Sequence, residues 1–188
     1  IDQYIEKKEK GFYVDIGAHH PIHRNNTQLL FNSGWSGINI DVNQFSIDLF
    51  NFLRPNDLNL LAAISDKEGE ITFYYQKKFS QLNTTDKNIA HEHFNGNFKE
   101  RLVKCQTIHN ILTNSKYKEA KIDFLNIDVE GAEMKVLKTL NFETYDPNLI
   151  CIEILGYRNL NHNDREARPH RRRRARRQHQ LRTAWQST

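Results

Sequence analysis

Cysteine, methionine and proline are scarce in this chain of 188 residues, which has two, one and four of them respectively. Cys105 and Cys151 lack the spacing of a metal site or a disulfide framework, so we expect two ordinary thiols in or near the core. No apolar run approaches the roughly 20 residues that a membrane-spanning helix needs. The polar, charged start, IDQYIEKKEKG, does not resemble a signal peptide, and its first residue indicates a chain that begins inside a longer one. These absences favour a globular, cytoplasmic domain without a membrane span.

Lysine, asparagine and isoleucine are all missing from residues 165–188, which contain nine arginines and one glutamate. The rest of the chain has fourteen lysines against four arginines, and a net charge of −4 within the total of +4. This break in composition, without any apolar periodicity, predicts a disordered, non-native tail after a domain of residues 1–164. The alternative is an arginine-rich arm that binds nucleic acid or an anionic surface.

Short apolar segments alternate with helical patterns through the domain, which is typical of an α/β fold with a doubly wound, mostly parallel sheet. The predicted strands are Phe12–Ile16, Gly37–Val42, Leu58–Ser65, Ile122–Ile127 and Leu149–Ile154, with an extra antiparallel strand at Glu70–Tyr75. The predicted helices run from Asn25 or Asn26 to Phe31, and over Phe45–Leu53, His109–Asn114 and Gly131–Leu140. The polar segment Lys77–Glu100 is expected to be an irregular lid or binding loop.

Three of the predicted strands end in or are followed by an acidic residue, namely Asp15, Asp41 and Asp128. Gly17 lets the backbone pass close to a ligand, and the next helix offers its N-terminus to an anion. Asp41 follows Gly17 by 24 residues, where an acidic side chain accepts hydrogen bonds from ribose hydroxyls. His19 stands where the backbone of a dinucleotide motif must approach a pyrophosphate, which disfavours NAD and favours a compact ligand such as S-adenosylmethionine.

These motifs resemble the FkbM family of S-adenosylmethionine-dependent O-methyltransferases. The resemblance is carried by VDIGA at the end of the first strand, by AIS at Ala63–Ser65, and by D-x-E-G-x-E, which begins here at Asp128. It implies a Rossmann-like class I methyltransferase fold. The closing helix and hairpin of that class have no candidate here, which predicts a C-terminally truncated domain with an exposed sheet edge. The candidate cofactor-binding residues are Asp15, Gly17, His19, Asp41, Ser65 and Asp128.

Methyl transfer to oxygen requires that the acceptor hydroxyl lose its proton. His20, with His19 and His23, is a candidate base near neutral pH. Asp128 and Glu130 precede a helix, whose dipole favours their ionised forms and makes them ligands for ammonium or hydroxyl groups. The candidate catalytic residues are therefore Asp128, Glu130 and His20. Mg²⁺ is compatible with the two acids but not required, and no metal site is assigned because no complete ligand set is present.

The resemblance implies an acceptor hydroxyl on a sugar, a polyketide or a related glycan. Aromatic residues in and around the polar segment either contact such a sugar or belong to the core: Tyr74, Tyr75, Phe79 and Phe94. The function predicted from the sequence is O-methylation of a sugar or surface-polysaccharide hydroxyl, with a small-molecule or glycan partner and no specific nucleic acid. The alternatives are a non-catalytic, Rossmann-like nucleotide-binding module and a nucleic-acid-binding protein that uses its tail.

Overall fold

A computed structural model describes residues 8–77, 80 and 82–153. The described strands are β1 (Phe12–Ile16), β2 (Ser36–Asp41), β3 (Leu58–Leu61), β4 (Ala63–Ile64), β5 (Gly69–Tyr75), β6 (Lys99–Gln106), β7 (Phe124–Ile127) and β8 (Leu149–Ile152). The described helices are α1 (Gln28–Asn32), α2 (Gln44–Leu53), α3 (Lys87–Phe94), α4 (Ile108–Thr113), α5 (Glu133–Lys138) and α6 (Phe142–Tyr145). Within this part of the chain, no helix is both long and apolar enough to cross a membrane.

Five parallel strands form the central sheet in the order β3-β2-β1-β7-β8, which confirms the predicted Rossmann-like α/β fold. β1 lies between β2 and β7, so the order of strands reverses beside it. Asp15 is in register with Asn39 on β2 and with Asn126 on β7. Since all five strands point the same way, their carboxyl ends share one edge, where ligands of such sheets bind. The main core covers the sheet with aliphatic side chains such as Val14, Ile38 and Leu125.

The predicted third strand, Leu58–Ser65, is wrong as a single element. β3 ends at Leu61 in the central sheet, and β4 pairs instead with β6 in a second sheet of order β4-β6-β5. The predicted extra strand is confirmed as β5, which runs antiparallel to β6. The reason for the break lies in the backbone: the N–H of Ala62 still donates to the carbonyl of Asp41, whereas that of Ser65 donates to Gln106 on β6.

The segment between β5 and β6 contains a helix and is not the irregular loop that the sequence predicts. Asp86 caps α3 by accepting hydrogen bonds from the N–H groups of Asn88 and Ile89. The helix buries Ala90 and Phe94 against Tyr74 of β5. Most residues of α3 are polar, and its buried residues are only Ala90 and Phe94. Two apolar positions are too few to give the hydrophobic periodicity that indicates a helix in a sequence.

Several predicted helix boundaries or faces also change. α1 begins at Gln28, because the side chains of Asn25 and Asn26 bind elsewhere and do not cap it. α2 buries Ser46, Ile47 and Phe50, whereas Phe45 and Phe52 of the predicted apolar face are 56% and 82% exposed.

The helix after β7 is shorter than predicted, and Val136 within it and Ala132 and Leu140 on either side of it are all buried. Cys105 is buried and Cys151 half-buried, which agrees with the expected thiols in or near the core. Residues 165–188, the predicted tail, and any closing hairpin beyond Glu153 lie outside the described residues.

Candidate active site

The turn after β1 begins at Gly17, whose φ of +78° is one that glycine adopts most readily. The N–H groups of Gly17 and Ala18 both donate to the carbonyl of Ile40, at 2.9 and 3.1 Å. A Cβ atom at Gly17 would overlap the carbonyl oxygen of Asp128. Glycine is therefore needed here so that the ends of β1 and β7 can approach each other.

Asp15 is 1% exposed and anchors the loop that follows it. Its Oδ2 accepts hydrogen bonds from Asn25 Nδ2 at 3.0 Å and Thr27 Oγ1 at 2.8 Å, and its Oδ1 accepts one from Asn126 Nδ2 at 2.8 Å. Burial raises the pKa of Asp15, and the hydrogen bonds oppose that rise. Because both oxygens accept hydrogen bonds inside the protein, Asp15 holds the loop that follows β1 in place.

Asp41, at the end of β2, is held by two backbone groups. Its Oδ2 accepts from the N–H of His19 at 2.8 Å and its Oδ1 from the N–H of Asn43 at 2.7 Å. His19 has a φ of +53°, so the turn bends back onto the acid. Burial raises the pKa of Asp41 to about 6. A carboxylate oxygen can accept more than one hydrogen bond, so each oxygen keeps capacity for a ligand hydroxyl.

A small cleft opens at the carboxyl ends of β1 and β7. It brings together four residues predicted from the sequence: Asp15, Gly17, His19 and Asp128. Asp41 adjoins it through the hydrogen bond from His19. The remaining lining residues are Ala18, Arg24, Asn25, Asn26 and Asn126.

Beside this cleft, the carboxylates of Asp128, Glu130 and Glu153 have oxygens within 4.8 Å of one another. Glu130 lies in a tight turn with a φ of +51°, and its carbonyl accepts a hydrogen bond from Thr84 Oγ1 at 2.7 Å. Glu153 follows β8, which pairs with β7 and so places this acid next to Asp128. The cluster is thus assembled from three separate parts of the chain.

The expectation that a helix dipole keeps Asp128 and Glu130 ionised is wrong. Burial, a hydrogen bond with Glu153 and the neighbouring negative charges raise the pKa of Asp128 to about 8. Burial, then the charges of Glu153 and Glu133, raise the pKa of Glu130 to about 7. α5 begins only at Glu133, so both acids precede its first turn, and desolvation and mutual repulsion prevail.

His20 is poorly placed as a base. Its Nδ1 accepts hydrogen bonds from the N–H groups of Ile22 at 3.0 Å and His23 at 3.1 Å. The neutral ring therefore carries its proton on Nε2, and a second proton on Nδ1 would displace both backbone donors. Burial, followed by the charge of His23, also lowers the pKa of His20. The ring shapes the turn instead of accepting a proton.

Ser65 and the aromatic side chains of Tyr74, Tyr75 and Phe94 do not line the cleft. Ser65 is 7% exposed, and its hydroxyl donates to Asp66 at 3.0 Å. Tyr74 and Phe94 belong to a small core with Ala90, which favours the structural alternative for these two aromatics. Tyr75 is half-buried and stacks on Phe73, and Phe79 lies outside the described residues.

The three clustered carboxylates also form the set among the described residues with the spacing to hold a metal ion. Their oxygens suit a hard cation such as Mg²⁺, which takes six ligands and usually keeps several waters. Three carboxylates in one cluster are equally the arrangement that raises pKa values, so the cluster fits a proton acceptor as well as a cation.

A family model described as the methyltransferase FkbM domain matches residues 15–170. The chain belongs to this family. Comparisons with curated proteins and with solved structures found no match. The family assignment makes the protein a methyltransferase, and the matched range includes every candidate site residue described above.

Sequence reasoning missed several residues of this FkbM methyltransferase site. Asn126 precedes Asp128 by two positions and bonds to Asp15, and Asn26 Nδ2 in turn donates to Asn126 Oδ1 at 3.0 Å. Arg54 is buried behind the loop and bonds to Asn25. Their only sequence signal was polarity within or next to apolar segments, because their partners lie far away in the chain.

Proposed function

We propose that this FkbM methyltransferase uses S-adenosylmethionine to methylate a hydroxyl oxygen of a sugar or surface polysaccharide. The observation that supports this most strongly is Asp41 at the end of β2, whose two oxygens are each held by a backbone N–H. A carboxylate fixed in this way is ready to accept hydrogen bonds from two ribose hydroxyls.

The residues around the cleft fit this cofactor. Gly17 and its neighbours keep the loop close to the strand ends, and Asp15 fixes that loop from beneath. When bound, S-adenosylmethionine supplies a methyl group on a positively charged sulfur. Acidic side chains line this side of the cleft and favour a cationic ligand over a pyrophosphate.

The cluster of Asp128, Glu130 and Glu153 is the proposed proton acceptor. A base is most useful when its pKa lies near the working pH, and those of Asp128 and Glu130 are about 8 and 7. Asp128 also lines the cleft, so it is the member of the cluster that we place next to the acceptor hydroxyl. After burial, the hydrogen bond with Glu153 and its negative charge contribute most to the raised pKa of Asp128.

Calorimetry with S-adenosylhomocysteine and with NAD tests the cofactor. We expect binding of the first and none of the second. Asp41→Ala should weaken binding by roughly 1.5–3 kcal/mol, the usual contribution of hydrogen bonds to a charged group. Asp48→Ala, on the exposed side of α2, is the matched control and should bind normally. An unchanged dissociation constant in Asp41→Ala would remove Asp41 from the site.

Transfer of a labelled methyl group to a panel of sugars and polysaccharides tests the acceptor. Labelled product that resists mild base is expected, since a methyl ether is stable where a methyl ester is not. Binding of S-adenosylhomocysteine without transfer to any hydroxyl acceptor would favour the non-catalytic module. Addition of EDTA separates a metal-dependent reaction from a metal-free one.

A further inference from the structure

Arg54 is 1% exposed and heads the large, fully buried side chains of the described residues. It follows α2 and extends beneath the cofactor loop, which we define as residues 17–27. Among the described residues, a salt bridge joins Lys8 and Asp123, whereas Arg54 forms none and contacts no carboxylate directly. A buried cation needs compensation, and here neutral groups surround the guanidinium.

Three hydrogen bonds of Arg54 go to the cofactor loop. Nη2 donates to the carbonyl of Pro21 at 2.6 Å and to Asn25 Oδ1 at 2.9 Å, and Nη1 donates to Thr27 Oγ1 at 2.9 Å. The guanidinium, which is rigid and planar, therefore holds the loop from Pro21 to Thr27 at both ends.

The same contacts orient donors toward Asp15. Since Asn25 Oδ1 and Thr27 Oγ1 both accept from Arg54, the amide N–H₂ of Asn25 and the hydroxyl proton of Thr27 are left to donate to Asp15 Oδ2, at 3.0 and 2.8 Å. The guanidinium of Arg54 is thus connected to the carboxylate of Asp15 through the side chains of Asn25 and Thr27.

Aromatic rings fix the plane of the guanidinium from the other sides. Its carbon lies 4.8 Å from the ring centre of Phe31 and 5.0 Å from that of Phe50. Nη1 of Arg54 also donates hydrogen bonds to Tyr13 and Asn39, on the side away from the loop. A lysine at this position would offer neither the planar fork nor the stacking surface.

We propose that Arg54 is a positioning residue that sets the shape of the cofactor loop and thereby the affinity for S-adenosylmethionine, without touching it. This inference rests on the proposed function. It extends the site to a residue that is absent from the cleft lining and buried behind it.

Arg54→Lys tests the inference by calorimetry with S-adenosylhomocysteine. We expect a dissociation constant about tenfold higher or more, since several hydrogen bonds to a charged group are lost. In the cofactor-free protein, hydrogen exchange should accelerate at the amides of Gly17, Ala18 and His19, which depend on the loop's position.

Asp123→Asn is the matched control for lost stability. Asp123 is 2% exposed and accepts hydrogen bonds from Lys8, the N–H of Phe12 and Asn148, at the amino end of β7 far from the loop. It should lower the melting temperature but leave the cofactor affinity and the exchange of the loop amides unchanged. If both variants weaken binding equally at equal loss of melting temperature, Arg54 is only structural.

Thr27→Val keeps the inference testable if Arg54→Lys does not fold. It removes one bridge between Arg54 and Asp15 and should reproduce part of the weaker binding. Tyr13→Phe, which removes the hydrogen bond from Arg54 Nη1 on the side away from the loop and the hydrogen bond to Asp57, leaves both bridges in place and should not. Normal binding by Thr27→Val or Arg54→Lys overturns the inference. Absence of S-adenosylhomocysteine binding in the unaltered protein would instead overturn the proposed function.

Discussion

Asp41 gives the site a titratable contact close to physiological pH. Its pKa of about 6 means that it is mostly ionised at pH 7.5 and mostly protonated at pH 5. Protonation would remove the proposed acceptor for ribose hydroxyls, so affinity for S-adenosylhomocysteine should fall roughly tenfold over this range. Calorimetry at several pH values measures the step. Asp41→Asn should bind weakly without the step, and a step that persists in this variant would assign it to another group.

Substitution of Asp128 should change stability and methyl transfer in opposite directions. Its folded pKa of about 8 exceeds the ordinary value of 3.8, so the folded protein retains a proton that the unfolded chain releases. Stability is therefore lost as the pH rises from about 4 to about 8, and is constant above that range. Asp128→Asn should abolish this loss and melt higher than the unaltered protein at pH 8.

Methyl transfer should respond oppositely in the same variant. Loss of a general base lowers turnover by about 10²–10⁴-fold, and the circular dichroism spectrum should not change. The exposed Asp48→Asn serves as control for both measurements. Retained turnover, or a lower melting temperature at pH 8, would show that Asp128 has a structural role instead.

The individual acids of the site were predictable, whereas their supporting residues were not. Asp15 and Asp41 could be assigned because strand ends and turns are local patterns. Asn126 could not, because its hydrogen bond to Asp15 spans 111 positions in the chain. The raised pKa of Asp128 depends on burial and then on Glu153, and no local pattern indicates that β8 lies beside β7.

At the scale of secondary structure elements, the segment between β5 and β6 packs on the turn that carries Glu130. Thr84 donates to the carbonyl of Glu130, and a Cβ atom at Gly131 would overlap the side chain of Ile89 on α3. Gly131 also has a φ of +101°. The segment expected to be a loop is therefore one wall of the acid cluster.

Gly131→Ala should both destabilise the protein and displace Glu130. Strain at this backbone geometry contributes roughly 1–3 kcal/mol, and overlap with Ile89 adds to it. Gly34→Ala is the matched control, because Gly34 has a φ of +82° with open space around it. Thermal melting and methyl transfer should fall in Gly131→Ala, while Gly34→Ala should lose stability alone. Equal methyl transfer by the two variants would show that the contact between α3 and the turn at Gly131 does not affect catalysis.

The elements of the central sheet were easier to predict than those of the second sheet. Strands buried on both faces, such as β1 and β7, form apolar runs that stand out in the sequence. β6 is mostly exposed and charged, with the sequence KERLVKCQ, so no apolar run marks it as a strand. The break after β3 depends on pairing with β6, which the sequence of β3 does not reveal.

For the whole molecule, we predict that residues 165–188 contribute nothing to cofactor binding. A chain that ends at Asp164 should bind S-adenosylhomocysteine like the full chain, and should lose only a salt-sensitive adhesion to polyanions that nine arginines confer. A chain that ends at His170, the limit of the family match, is the control. Cofactor binding by the longer form alone would extend the domain to His170, and loss in both forms would make the tail functional.

The position of β1 between β2 and β7 determines when the cleft can form during synthesis. Asp15 and Gly17 are made more than 100 residues before Asn126 and the Asp128 carbonyl, which complete their surroundings. Contacts of such long range form slowly in folding. A ribosome-bound chain that ends before β7 should have no cofactor site. Capture of S-adenosylhomocysteine by nascent chains would consequently report that the central strands have closed around β1.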